Sequence, residues 1–122
     1  MASRPTDLAA THARDMPIYK RYYDLIANGS KTIEVRVAYT SMLRIKAGEQ
    51  IRFTCGDEDT LTRVKRVTRY SSFDEMFDHE RAEAIIPTTG RDEQLRAIRD
   101  IYPPEKEALG VLAIEVERVS SR

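Results

Sequence analysis

Positions 29–36, Gly-Ser-Lys-Thr-Ile-Glu-Val-Arg, place two cations and a carboxylate within eight residues. The arginine, Arg36, can bind a phosphate or a carbonyl through two parallel hydrogen bonds. The lysine, Lys31, can stabilise developing negative charge, or act as a base if the neighbouring arginine lowers its pKa. The glutamate, Glu34, can orient either cation, accept a proton or hold an amino group of a nucleobase. Lys31 and Glu34 are therefore candidate catalytic residues, and Arg36 is a candidate substrate-binding residue.

These side chains meet only if the backbone of the segment adopts one arrangement. In a regular strand, Thr32, Glu34 and Arg36 lie on one face and Lys31 lies on the other. Lys31 can join them if it lies in a turn before the strand, which Gly29 makes possible. The alternative is a ladder of surface ion pairs, which contribute little stability. Residue types alone leave both arrangements open. If the side chains converge, Gly29 and Thr32 are further substrate-binding candidates.

A basic run on a predicted strand could contact phosphates. Both faces of this strand carry charge, which favours a solvated edge over a phosphate track. A β-bulge in the strand could nevertheless turn Arg66 toward a cleft, so Arg66 is a substrate-binding candidate. The run consists of Arg63, Lys65, Arg66 and Arg69.

Tyrosines could stack on bases. Tyr39 follows the motif in a predicted loop and is a substrate-binding candidate on that ground. Tyr19, Tyr22 and Tyr23 recur at helical spacing, which favours packing in the core over stacking.

Neither a metal site nor a cofactor is expected. His12 and His79 have no partner at metal-binding spacing. No Gly-rich phosphate loop, hydrolase elbow or dinucleotide fingerprint occurs. Cys55 is the only cysteine, which excludes an internal disulfide and argues against a disulfide-linked partner. Its alternation with apolar residues favours a place in the core.

Length and charge limit the classes of function that the chain can have. A chain of 122 residues fits one domain, and its 20 basic residues balance 20 acidic ones. That balance argues against tight, non-specific binding of duplexes, so any nucleic-acid function must reside in a local patch. The apolar runs are too short to cross a membrane, and residues 1–5 lack the apolar stretch of a signal peptide. We therefore expect a cytoplasmic protein that does not contact membranes.

Periodicity predicts an α+β domain with a small barrel or a strongly curved sheet. Ser72 and Glu75 match a helix capping box, and Ile101 is expected to face inward at the end of the last long helix. The spacing of Val64 and Val67 indicates a bulge. The predicted segments are a frayed tail (1–15), a short edge strand (16–18), helices at 19–28, 73–77 and 91–101, and strands at 32–37, 51–55, 61–70 and 110–119.

The motif Gly-x-Lys-x-x-Glu-x-Arg resembles the signature of the ASCH family in the PUA-like superfamily. Further segments agree with the family pattern in the same order. The resemblance covers about residues 16–119 and implies a PUA-like small β-barrel with flanking helices, in which the motif faces an RNA-derived ligand in a cleft. The agreeing segments are Leu-Ile at 25–26, Ile-Lys-Ala-Gly-Glu-Gln-Ile at 45–51, Tyr-Ser-Ser-Phe-Asp-Glu-Met at 70–76, Ile-Tyr-Pro at 101–103 and Gly-Val-Leu-Ala-Ile-Glu at 110–115.

The resemblance implies three functional hypotheses. The first is a cleft that holds single-stranded RNA or a nucleoside, with ribonuclease activity as an extension. The second is an amidohydrolase acting on N4-acetylcytidine-type nucleosides. In that group a lysine and a threonine of the motif act with a distant glutamate, but here Glu34 replaces the threonine, and only Glu80 and Glu83 offer substitutes for the distant acid. The third is a non-catalytic RNA-binding adaptor. A closed pocket would favour a nucleoside, whereas a groove continuous with Arg63 and Arg66 would favour RNA.

Overall fold

The computed structural model describes residues 13–119. Apolar residues at alternate positions form strands, and apolar residues at helical spacing form the helices that cover them. The strands are β1 (Arg14–Pro17), β2 (Ile33–Val37), β3 (Gln50–Cys55), β4 (Glu58–Tyr70) and β5 (Val111–Arg118). The helices are α1 (Lys20–Ala27), α2 (Phe73–His79), α3 (Ala82–Ile85), α4 (Arg91–Ile101) and α5 (Pro104–Glu107), with a 3-10 turn at Met42–Arg44.

One mixed sheet joins all five strands in the order β1-β3-β4-β5-β2. β1 runs parallel to β3, and the other neighbours are antiparallel. The long β4 pairs with β3 through its first half and with β5 through most of its length. Its register against β5 shifts between Val64 and Arg66, which confirms the predicted bulge. The result is a curved half-barrel with β1 and β2 at its two edges.

Both faces of the sheet are covered, which explains the continuous apolar run in β5. Leu112 and Ile114 pack on one side with Phe53 and with the buried side chains of α1. Val111 and Ala113 pack on the other side, against α2 and β2. Because β2 is an edge strand, its open side borders the space between α1 and α4, and the motif lies there.

Most predicted elements are confirmed, with small shifts at their ends. β1 begins at Arg14, so the predicted tail of residues 1–15 overlaps the start of this strand. Residues 1–12 of that tail lie outside the described residues. Ser72 Oγ accepts a hydrogen bond from Glu75 N at 3.0 Å, as the capping box requires. The Glu75 carboxylate, however, accepts from the backbone N–H of Ser71, one residue before the position that the motif predicts.

Ile101 was predicted to face the core, and this prediction is wrong. It is 52% exposed, because α4 ends there and the helix turns this residue toward the mouth of a cavity. Among residues 13–119, no helix combines the length and the apolar character needed to cross a membrane.

Candidate functional site

Gly29 and Lys31 form the turn that precedes β2. Gly29 adopts a φ of +87°, the left-handed conformation that glycine tolerates best. The backbone N–H of Lys31 donates to the carbonyl of Leu25 at 3.0 Å, which ties the turn to α1. β2 begins only at Ile33, so the alternation of side chains along the strand does not apply to Lys31. Its side chain therefore points to the same side as that of Glu34. The predicted convergence of the side chains is therefore present.

Lys31 is buried, with 4% of its side chain exposed. Its Nζ donates to the carbonyls of Ile33 at 2.7 Å and Ile85 at 3.1 Å, and lies 3.4 Å from Glu34 Oε1. The three acceptors match the three N–H groups of an ammonium. Burial lowers the pKa of Lys31, the carboxylate of Glu34 opposes this shift, and the charge of Arg36 adds to it.

Glu34 joins both cations of the motif. Its Oε2 accepts from Arg36 Nε at 2.6 Å, so both carboxylate oxygens are engaged. Arg36 Nη2 also donates to the carbonyl of Pro17 at 3.3 Å, which links edge strand β2 to the end of edge strand β1. Arg36 Nη1 makes no hydrogen bond to another described residue, and the side chain is 21% exposed. Arg36 can therefore still donate to a ligand.

These three side chains line a cavity of about 680 Å³ between β2, α1 and α4. A cavity of this size can hold a nucleoside or a nucleotide. Tyr22 from α1 and Tyr102 after α4 supply aromatic surface, and Lys31 Nζ lies 6.0 Å from the centre of the Tyr22 ring. Burial raises the pKa of Tyr102, which keeps its hydroxyl protonated and able to donate.

The first turn of α4 contributes two polar residues to the wall. Glu93 adds a second carboxylate to the lining. Gln94 is 5% exposed, and its Nε2 lies within hydrogen-bonding distance of the carbonyls of Ala82, Ile86 and Thr89, at 2.8, 3.1 and 2.9 Å. Gln94 thus anchors the loop between α3 and α4, which forms one side of the cavity.

Comparisons with known proteins identify the family to which this architecture belongs. The model of the ASCH domain family matches residues 16–120, most of the chain. The chain belongs to the ASCH domain family. Its sheet and helices are the α+β, PUA-like fold that the sequence predicts for this family.

Solved structures agree with this family assignment. The chain is 34% identical to hypothetical protein PH0355, with a TM-score of 0.80, over 88% of this chain and 99% of that one. It is 33% identical to protein PF0455 from Pyrococcus furiosus, with a TM-score of 0.72, over 88% and 98% of the two chains. An ASCH domain from Lactobacillus crispatus shares the fold, with 13% identity, a TM-score of 0.59 and coverage of 92% and 84%. No curated protein matches the chain in sequence.

Within this ASCH domain, four predicted substrate-binding residues do not line the cavity. Gly29 and Thr32 act through the backbone: Gly29 makes the turn, and Thr32 joins α3 and β5 through its N–H and carbonyl. The ammonium of Lys106 lies over the ring of Tyr39, with Nζ 5.7 Å from the ring centre. Arg66, beside the bulge, instead pairs with the carboxylates of Glu80 and Glu115.

The acidic substitutes proposed for the amidohydrolase mechanism are also outside the cavity. Glu80 is buried, but it binds Arg66 at 2.8 and 2.9 Å and the hydroxyl of Tyr70 at 2.5 Å. Glu83 is exposed and pairs with Arg81 at 2.7 Å. Arg63 pairs with Glu117 across the sheet, away from the ASCH motif. The basic run therefore does not extend the cavity.

Sequence reasoning missed Gln94, Glu93 and Tyr102, and it assigned Tyr22 to the core. Of the three tyrosines at helical spacing, only Tyr23 is buried, at 5% exposure. A signal for Gln94 was available, since it lies four residues before Ile98 on the apolar side of α4. Among residues 13–119, no group of histidine, cysteine or acidic side chains could hold a metal ion.

Proposed function

We propose that the cavity binds a nucleoside or the terminal nucleotide of a single-stranded RNA. The observation that carries this proposal is the shape and charge of the motif site. A partly open cavity of about 680 Å³ has aromatic walls and an arginine, Arg36, whose Nη1 has no partner among the described residues. A base would pack against Tyr22 and Tyr102, while Arg36 would bind a ribose or phosphate oxygen.

Separation of the cavity from the basic run supports a small ligand over a long strand. Arg63 and Arg66 are paired with carboxylates and lie outside the lining. A phosphate track of the kind that holds many nucleotides would need free cations leading away from the cavity. We therefore expect one or two nucleotides to account for most of the binding free energy.

Equilibrium titration with nucleosides, mononucleotides and short single-stranded RNA tests this proposal. Arg36→Gln should weaken nucleotide binding about 10- to 100-fold, because one charge-assisted hydrogen bond is lost. Arg63→Gln is the matched control, since Arg63 is 47% exposed and, within residues 13–119, pairs with Glu117 alone. Equal weakening by both substitutions, or stronger binding of duplex than of single strands, would contradict the proposal.

Hydrolysis is the second candidate, favoured by the lowered pKa of Lys31. A lysine that can lose its proton could act as a base, while Glu34 transfers a proton and Arg36 holds a phosphate. The substrate would be single-stranded RNA or an N4-acylated cytidine. Glu93 is the second acidic residue of the lining, and it could serve as a further acid.

Incubation with single-stranded RNA and, separately, with N4-acetylcytidine distinguishes the activities. Lys31→Ala should abolish RNA cleavage in the first case and acetate release in the second, while Lys46→Ala, an exposed control outside the lining, should not. Binding without any turnover would identify the domain as a non-catalytic RNA-binding module.

A further inference from the structure

A second cavity lies at the mouth of the cavity that the motif lines, and we call it the outer cavity. Its volume is about 540 Å³, and most of its lining residues also line the motif cavity. The two spaces therefore meet along these shared residues, and one ligand can extend from the first into the second. The shared residues are Tyr19, Arg21, Tyr22 and Ile101, and the outer cavity adds Ala97 and Asp100.

Arg21 lies at the boundary between the two cavities. Its side chain is exposed, its guanidinium carbon lies 4.7 Å from the centre of the Tyr22 ring, and its Nη2 donates to the Tyr22 hydroxyl at 2.6 Å. These contacts hold the guanidinium beside Tyr22 and use one of its five N–H groups. Within residues 13–119, Arg21 pairs with no carboxylate, in contrast to Arg63 and Arg66. Its charge and its remaining donors suit a phosphate at the point where the cavities meet.

The rest of the outer cavity suits a base and its sugar. Tyr19 is 73% exposed and Ile101 is 52% exposed, so both present apolar surface to a ligand. The ring of a tyrosine in this position can stack on a base of any sequence. Asp100 is the acidic residue of this lining, and its carboxylate can accept from a ribose hydroxyl but repels a phosphate. A phosphate is therefore favoured only at the boundary, beside Arg21.

We propose that the outer cavity binds the second nucleotide of a single-stranded RNA whose terminal nucleotide occupies the motif cavity. Arg21 binds the phosphate that links the two nucleotides, and Tyr19 stacks on the second base. This proposal rests on the proposed function, and it specifies the ligand as RNA of at least two nucleotides instead of a free nucleoside.

Three ligands measure the second subsite without altering the protein. They are a mononucleotide, a dinucleoside monophosphate built from it in either direction, and the same dinucleoside with a neutral methylphosphonate link. The dinucleoside monophosphate carries less negative charge than the mononucleotide, so tighter binding reports the second nucleoside and not added charge. We expect it to bind at least about fivefold more tightly than the mononucleotide, and the methylphosphonate to bind about tenfold more weakly than its charged counterpart.

Substitutions assign these differences to side chains. Tyr19→Ala should remove the advantage of the dinucleoside monophosphate over the mononucleotide, whereas Tyr19→Phe keeps the ring and should retain it. Arg21→Gln should narrow the difference between the charged and the neutral link. Arg96→Gln is the matched control and should change neither difference, because Arg96 is exposed on α4 and lines neither cavity.

The outcomes separate the second subsite from the proposed function. Equal affinity for the dinucleoside monophosphate and the mononucleotide, or an advantage that persists in Tyr19→Ala, overturns the subsite and leaves the proposed function intact. Self-association of the free protein that Tyr19→Ala abolishes would assign this surface to contact between two copies, and it would also overturn the subsite. Absence of binding by the whole series and by nucleosides overturns both proposals.

Discussion

Gly29 shows how one residue positions the chemistry of another. Its φ of +87° lets the chain leave α1 and return to the carbonyl of Leu25, which sets the position of Lys31. A Cβ atom at this position would lie 3.2 Å from Nη2 of Arg118. Arg118 in turn donates from Nη1 to the carbonyl of Ala27 at 2.8 Å, so the side chain has little freedom to yield.

Gly29→Ala should lower the free energy of unfolding by about 1 kcal/mol or more, since the backbone must hold a conformation that alanine disfavours. Chemical denaturation measures this change. Ser30→Ala is the control, because Ser30 lies in the same turn, is exposed and does not have a positive φ. Equal losses in the two variants would show that the turn geometry at position 29 is not the cause.

At the scale of elements, a buried carboxylate fastens α2 to the sheet. Glu80, which follows α2, receives two hydrogen bonds from Arg66 of β4 and one from the hydroxyl of Tyr70. The Arg66 guanidinium lowers the pKa of Glu80, whereas burial raises the pKa of Tyr70 to about 12. This network explains why the bulge turns Arg66 away from the cavity, and it gives the basic run a structural role.

Glu80→Gln should lower stability at neutral pH by about 1–3 kcal/mol, because it replaces an ionised acceptor of three hydrogen bonds. The pKa of Glu80 is lower in the folded than in the unfolded protein, so its contribution is complete above about pH 4.5 and is lost as pH falls through the folded value. The variant should therefore lose less stability on acidification than the unaltered protein. Unfolding curves between pH 7 and pH 3 provide the measurement, and parallel acid limbs would argue against this assignment.

The cap of α2 offers a second prediction at this scale. Ser72→Ala removes the acceptor of the Glu75 N–H and should cost about 1 kcal/mol of stability. Ser41→Ala is the control, since Ser41 precedes the 3-10 turn without a side-chain capping bond. Thermal unfolding of both variants tests the difference, and a loss in Ser41→Ala as large as in Ser72→Ala would speak against the capping role.

At the scale of the whole molecule, charge is balanced overall but not locally. Twenty basic residues offset twenty acidic ones, and most described cations of β4 are paired with carboxylates. Arg36 and Arg21 remain as arginines in the lining of the cavity. A net charge of zero gives no long-range attraction for RNA, so the RNA binding that we propose would depend on these local contacts.

Binding of a short single-stranded RNA should therefore depend only weakly on salt. Two phosphate contacts predict a slope of about −1.4 in a plot of log affinity against log salt concentration. Titrations between 50 and 300 mM salt would measure the slope, with Arg63→Gln as a variant that should not change it. A slope steeper than about −3 would require further phosphate contacts and a larger binding surface than the cavity.

Local sequence determined the elements and the motif turn of this protein, because each depends on residues close together in the chain. The alternation of Ile33, Val35 and Val37 predicts β2, Ser72 predicts the start of α2, and Gly29 permits the turn that frees Lys31 from strand parity. The family resemblance supplied the architecture, since an open half-barrel cannot be derived from periodicity alone.

Only the tertiary structure decided which side chains share the cavity. Gln94, Tyr102 and Tyr22 come from segments distant from the motif, and the burial of Lys31 depends on the carbonyl of Ile85, 54 residues away. The direction of Arg66 likewise depends on carboxylates in two other elements. Contacts of this kind follow from how helices and strands pack in space, and local spacing along a chain holds no record of that packing.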